Sequence, residues 1–338
     1  MNADRVQAGC GPGTPLGATA PGSVSTLLHM TDPHGSRGGK IRPFGVPITR
    51  PFAQVCAAFL STLRDLTGRA VAAPVLAADS VFRGEVEALA AAPDGPRKEA
   101  RLGLHRLLLD AGHLTWAHAV DHVRALEHDV LMRPPPVWSP LALARVTLEG
   151  LAFTHYLYDP SVPLERRLAR AAGLVVTEAH NEVQAAKGFG PEEQAGAQAR
   201  KKEAEQLVLA AGAVARLDRS KRVTGYAVDG ESARLDHRIG EQTRLFLPSW
   251  AQASYPLLSG AAHGRPWMIA RARSGDGWEG EAATVMAAVM TVAGALESGI
   301  ATRSGYLNLD VGAVQAEMAA VREAFVRRSA VFAHAPVG

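Results

Sequence analysis

Residues 97–131, RKEARLGLHRLLLDAGHLTWAHAVDHVRALEHDVL, decide how the rest of the chain is read. The stretch holds no proline and no run of alternating polar and apolar residues. It lies between the turn Pro93-Asp94-Gly95-Pro96 and the breaker Pro134-Pro135-Pro136. It therefore reads as one long helix. A single helix of that length needs other helices to bury its apolar side.

Working outward, those partners are visible. Phe52, Val55, Cys56, Phe59, Leu60, Leu63 and Leu66 repeat with a 3.6-residue period, with Gly68 as a stop. A second helix is expected over Val75–Ala91. Ser139 and Pro140 read as an N-cap followed by proline at the first helical position, opening a helix to Tyr158. Asp159-Pro160 breaks it, and the next helix reaches Ala186. After Gly188-Phe189-Gly190-Pro191 a charged helix is expected from Glu192 to Leu217, then a short hairpin or ordered loop over 223–233. Further helices are expected near 234–246, 249–263, 279–303 and 310–333. The fifteen apolar residues from Ala282 to Leu296 suit a buried core helix and are too short to span a bilayer. The fold expected is all-α, a helical bundle with at most one short β-hairpin. Its parts are a disordered tail over 1–50, an N-terminal helical part over 51–190, and a C-terminal helical part over 191–335 packed on it as one globular unit.

Composition narrows the function classes. Of 36 basic residues six are lysine, so the arginine excess follows a high-GC codon bias more than anion binding. The net charge of +3 is carried by residues 1–50, where Arg5, Arg37, Lys40, Arg42 and Arg50 face Asp4 and Asp32. The remainder is neutral, which argues against a large basic groove and leaves room only for a local patch. Two cysteines, Cys10 and Cys56, give no disulfide framework and fit a reducing compartment. With no apolar leader, a cytoplasmic protein without a membrane span is expected. Met30 is an alternative start. No G-x-G-x-x-G follows a strand, and H-E-x-x-H, C-x-x-C and G-x-S-x-G are absent. Gly35–Lys40 is a residue short of a phosphate loop, and Ile41 replaces its Ser or Thr. No cofactor is expected.

Three constellations could carry chemistry. On the long helix stand His113, His118, His122 and His128, with His118 and His122 on one face. The helix offers them no secure third ligand, so no metal is assigned. Arg145 and Glu149, four apart on a largely apolar helix, are suited to pair, with Arg166, Arg167 and Arg170 as further donors. Ser259 and His263 are four apart on a helix ending near Gly264, with Tyr255 four residues earlier; a hydroxyl beside an imidazole has the parts of a nucleophile and its base. Arg145, Glu149, Ser259 and His263 are the candidate site residues.

The run Tyr255…Leu258-Ser259…His263-Gly264…Trp267 resembles the end of a family of uncharacterised, all-helical actinomycete proteins. Ala119–Leu126 with Asp121-His122, Leu143-Ala144-Arg145…Leu148-Glu149, and Asp159-Pro160 with the Arg166–Arg170 cluster extend the likeness over about residues 105–335. More distantly the chain is similar to the HEPN superfamily of helical RNases and nucleotide-binding proteins, whose signature is Arg, four to six residues, then His. His263 lacks such an arginine. The spacing occurs at Arg106…His113, Arg327…His334 and Arg328…His334, and roughly three such pairs arise by chance in this composition. The likeness implies a fold. The first expectation is a non-enzymatic helical protein that binds a ligand, a protein partner or a second copy of itself. The alternatives are an RNA-cleaving or nucleotide-handling enzyme using His263 and arginines, and a metal-dependent bundle enzyme.

Overall fold

Thr49 caps the first helix through its hydroxyl, which accepts from Phe52 N at 3.3 Å, and Pro51 occupies the first turn, where no backbone donor is missed. Ile48, just before, is already buried. The computed structural model describes residues 48–75, 79–235, 239–252, 255–265, 273–274, 277–278 and 281–333. The expectation of a disordered tail thus concerns residues outside the described ones up to position 47, and Trp267 and His334 also lie outside them.

Among the described residues the helices are α1 (Arg50–Val71), α2 (Val81–Ala91), α3 (Pro96–Asp129), α4 (Ser139–Tyr158), α5 (Leu164–Ala186), α6 (Pro191–Ala210), α7 (Ile239–Phe246), α8 (Tyr255–Ala262), α9 (Ala282–Leu307) and α10 (Gly312–Ala333). β1 (Val214–Leu217), β2 (Val223–Val228) and β3 (Glu231–Arg234) form an antiparallel sheet in that order, and β4 (Arg273–Ser274) pairs with β5 (Gly277–Trp278). The fold is mostly all-α.

Several boundaries differ from the sequence expectation. Gly68 does not stop α1, which continues to Val71; nothing lies within 4 Å of where its Cβ would be. The second helix begins at Val81, because Ser80 caps it by accepting from Arg83 N. Val75 instead bridges to Leu309. Ser139 is inside α4, and its hydroxyl donates to Asp129 at 2.8 Å. The charged helix ends at Ala210, not Leu217. Gly212 takes φ +75° and Ala213 N reaches back to Val208 O, a helix-ending geometry that glycine adopts without strain. Residues 214–217 become a strand, so the hairpin foreseen over 223–233 has a third member.

α3 is 34 residues long, roughly 50 Å, and passes through two apolar clusters. Its first half gives Leu104 and Leu108 to a cluster with Leu157, Leu168, Ala172, Tyr226 and Tyr306. Its second half gives Trp116, Ala119, Val123 and Leu126 to a larger cluster with Phe59, Leu63, Leu148, Val292 and Leu296. α4 and α9 run through both clusters as well. α4 packs on α3, α9, α7 and α8; α1 packs on α3, α9 and α10; α5 carries α6 and the sheet. Close approaches are made at glycines. The Tyr158 ring sits over Gly112, where a Cβ would meet Cζ at 2.5 Å, and Trp116 sits over Gly299, where a Cβ would meet Cζ3 at 2.8 Å. α9 is the one described helix long and apolar enough to cross a membrane, but 61% of its most apolar window is buried inside the protein. It is a core helix.

Candidate functional site

Arg145 and Glu149 lie one turn apart on α4 and meet as expected, with Nε donating to Oε1 at 2.7 Å. Tyr255, the first residue of α8, joins them: its hydroxyl donates to the same oxygen at 3.2 Å, and the Arg145 guanidinium lies 6.0 Å from its ring centroid. Burial and then the Glu149 charge push the Tyr255 phenol up. The arginines of α5 do not come to this pair. Arg166 binds Glu231 across to β3, Arg167 binds Glu85, and Arg170 donates to Tyr156 O and lies 4.2 Å from that ring. They pack at the opposite end of α4, about three to four turns from where Arg145 meets α8.

Ser259 and His263 share α8 and its end but are joined only through the backbone, His263 N to Ser259 O. Gly264, at φ +58°, turns the chain, and Arg265 N closes on Gly260 O. The His263 ring is exposed, and among the described residues its side chain has no hydrogen-bond partner. On α3 the rings of His118 and His122 lie 4.3 Å apart, and His122 Nδ1 is 2.9 Å from His118 O. No third His, Cys, Asp or Glu accompanies them in metal-binding range among the described residues.

The most densely bonded polar cluster was not foreseen. Glu85, from the apolar face of α2, receives Arg167 Nε at 2.8 Å, lies 3.0 Å from His105 Nε2, and accepts from the Tyr306 hydroxyl at 2.7 Å. Arg167 is fully buried; its remaining donors go to the carbonyls of Leu157, Asp159 and Val162, and its guanidinium lies over the Tyr306 ring at 4.6 Å. Burial alone would push the Glu85 carboxyl up. The bond from His105, the charge and bond of Arg167 and the bond of Tyr306 outweigh it and hold the carboxyl below its usual range. With every partner matched and all four side chains buried, this cluster locks α2, α3, α5 and α9 together. Its signal in the sequence was Glu85, which shares a helix face with the apolar Val81, Phe82 and Leu89.

A linkage prediction follows. An ionised Glu85 stabilises the fold fully above the unfolded carboxyl value, about 4.3, and this contribution is lost as pH falls through the lower folded value. Thermal unfolding followed by circular dichroism from pH 7 to 3 is expected to show a steep loss of Tm below about pH 4. Glu85→Gln should lower Tm at pH 7 and flatten that slope. An unchanged slope would show that other carboxylates dominate acid unfolding.

Among the described residues a groove of about 1200 Å³ lies open between α1 and α3. Its floor is small and apolar: Gly68, Val71, Ala72, Ala117, Val120 and the edge of Trp116. Its rim is charged. Arg64 is held by Glu127, and Arg69 by Glu317 on α10. Asp121, Arg124, His113 and His128 are exposed and unpaired among the described residues. Two of the expected histidines therefore line this groove, and the α1 side of it was hidden by reading Gly68 as a helix end. Cys56, buried nearby in α1, has its thiol pushed up to about 12 by burial and is unreactive.

Comparison of the chain with protein-family models, with curated proteins and with solved structures found no match.

Proposed function

We propose that this chain is a non-enzymatic, cytoplasmic interaction protein that assembles with a second copy of itself through the α1–α3 groove. The observation that carries the reading is the unpaired Arg124 and Asp121, three residues apart beside a floor of glycine and alanine. Opposite charges that close on the rim would leave nothing for a partner. Here they stay apart, and small floor residues allow a helix to approach. At about 100° per residue, Leu114, Ala117, Asp121, Arg124 and His128 fall on one side of α3, within about 80°.

That side is self-complementary. Two α3 helices placed antiparallel about a twofold axis between His122 and Val123 set Arg124 opposite Asp121 of the second copy, and the reverse. In the same register Leu114, 67% exposed, lies opposite the turn after α3 of the second copy, where Leu131 is 42% exposed. The groove is open to solvent, which suits a helix better than an enclosed small molecule. The HEPN likeness enters this reading as a fold, without its Arg–His chemistry.

Charge exchange tests the reading. Light scattering after gel filtration should find wild type dimeric. Arg124→Asp alone and Asp121→Arg alone each place like charges opposite one another and should weaken the dimer by about tenfold or more. The double exchange Asp121→Arg with Arg124→Asp should restore it. A monomeric wild type, or single variants as dimeric as wild type, would end the proposal.

A further inference from the structure

Val214 to Thr224 is an unbroken run of eleven exposed residues, yet it is regular structure. β1 and β2 pair from Val214–Ala227 to Leu217–Val223. The turn beyond them is closed by Asp218 N to Arg222 O at 2.9 Å and Lys221 N to Asp218 O at 3.0 Å. The Asp218 carboxylate is used up inside the turn. It accepts from the Ser220 hydroxyl and from the backbone of Arg222 and Ser220. It organises the turn and neutralises nothing outside it.

Four cations stand on this hairpin: Arg216, Arg219, Lys221 and Arg222. Arg216 donates to Ser232 Oγ at 2.6 Å. No carboxylate lies within ion-pair distance of any of the four among the described residues. The base of the same sheet is different. There Arg97 and Arg101 hold Asp229, and Arg166 holds Glu231. Cationic charge is matched at the base and left unmatched at the tip. Lys221 also occupies a φ of +61°, where glycine is the usual residue. The domain is neutral as a whole, so the tip is a local positive patch.

We propose that the β1–β2 hairpin is a contact for duplex DNA, binding the phosphate backbone through Arg216, Arg219, Lys221 and Arg222. A two-stranded ribbon fits the major groove of B-form DNA, about 12 Å wide. Double-stranded RNA offers a major groove too deep and narrow to enter. α5 packs against β2 and β3, and β2 buries Tyr226 and Val228 at its far end, while the tip from Leu217 to Val223 stays exposed. A lipid surface is the less suited polyanion. The leading edge, residues 218–222, is wholly polar, and the exposed apolar side chains Val214, Leu217 and Val223 lie behind it on the strands. This surface is separate from the α1–α3 groove and stands whether or not the chain dimerises.

The test uses the full chain and a fluorescein-labelled duplex of about 20 base pairs, read by anisotropy across a NaCl series. Four phosphate contacts predict a slope of log K against log salt of about −3.6. The triple variant Arg219→Ser, Lys221→Gly, Arg222→Ser keeps a turn-compatible backbone. It should bind at least about tenfold more weakly, with a slope about 2.7 shallower. Its thermal midpoint should match wild type, showing that the fold persists. The basic residues before position 50 are present in both proteins and cancel in the comparison. No DNA binding at 50 mM NaCl, or equal binding by wild type and variant, overturns the proposal. So does variant-sensitive binding to phosphatidylserine vesicles with none to DNA.

Discussion

Arg167→Leu is expected to destabilise the protein by about 3–5 kcal/mol, the range seen when one member of a buried ion pair is removed. Arg167 is wholly inside the protein and is bonded to Glu85 and to three carbonyls. Removing it leaves the Glu85 carboxylate in an apolar setting with only His105 and Tyr306, and leaves three carbonyls without their donor. Urea denaturation reads the loss as a fall in midpoint at constant m. Arg167→Lys should recover only part of the stability, since an ammonium cannot reproduce the planar fork. Replacing both partners, Arg167→Leu with Glu85→Leu, should cost less than Arg167→Leu alone, because no buried charge is then orphaned. A single variant within about 1 kcal/mol of wild type would mean that the cluster is solvated and does not lock the helices.

Trp116→Ala should cost a similar amount, about 3–5 kcal/mol, for a different reason. Trp116 is 4% exposed and stands between two environments. On one side its ring lies against Gly299, which Leu151 also meets, in the seam between α3, α4 and α9. On the other its edge forms part of the groove floor. Truncation opens a cavity that Gly299 has no side chain to fill. Calorimetry should show the loss, and Trp116→Phe should retain most of the stability. If the dimer forms as proposed, Trp116→Ala should also weaken it, whereas Leu148→Ala, deep in the same cluster and away from the groove, should lower stability and leave association intact. Equal effects of the two variants on association would separate the floor from the interface.

How far these features could be read in the chain varies with the range of the forces that make them. The helices were legible because a 3.6-residue apolar period and proline breaks are local. Arg145 and Glu149 were legible because one turn sets their meeting. Glu85, His105, Arg167 and Tyr306 were not, since four separate elements bring them together. Gly68 and Gly212 show the limit at single residues. Both interrupt a helical pattern. Only Gly212 takes a positive φ and ends its helix, while Gly68 continues one and leaves the groove floor open. Reading 214–217 as helix also hid the basic hairpin, because Val214 and Leu217 fit the preceding period by accident. Ser259 and His263 were rightly placed near a helix end, but spacing along a helix says nothing of whether two side chains turn toward one another.

The position of α9 bears on how the chain can be made. This helix supplies Val285 to Ile300 to one apolar cluster and Tyr306 to the other, and it comes after residue 281. At about 5–20 residues per second, roughly 6 to 25 seconds of synthesis separate the end of α4 at Tyr158 from the start of α9 at Ala282. Until then α1, α5, α7 and α8 can pack on α3 and α4, but the helix that both clusters share is missing, and neither cluster can be completed. A nascent chain would leave the α9-facing sides of Trp116, Leu148 and Leu151 uncovered for that interval. Completion of both clusters therefore waits on α9, and a chaperone that shields apolar helices would act before that helix has left the ribosome.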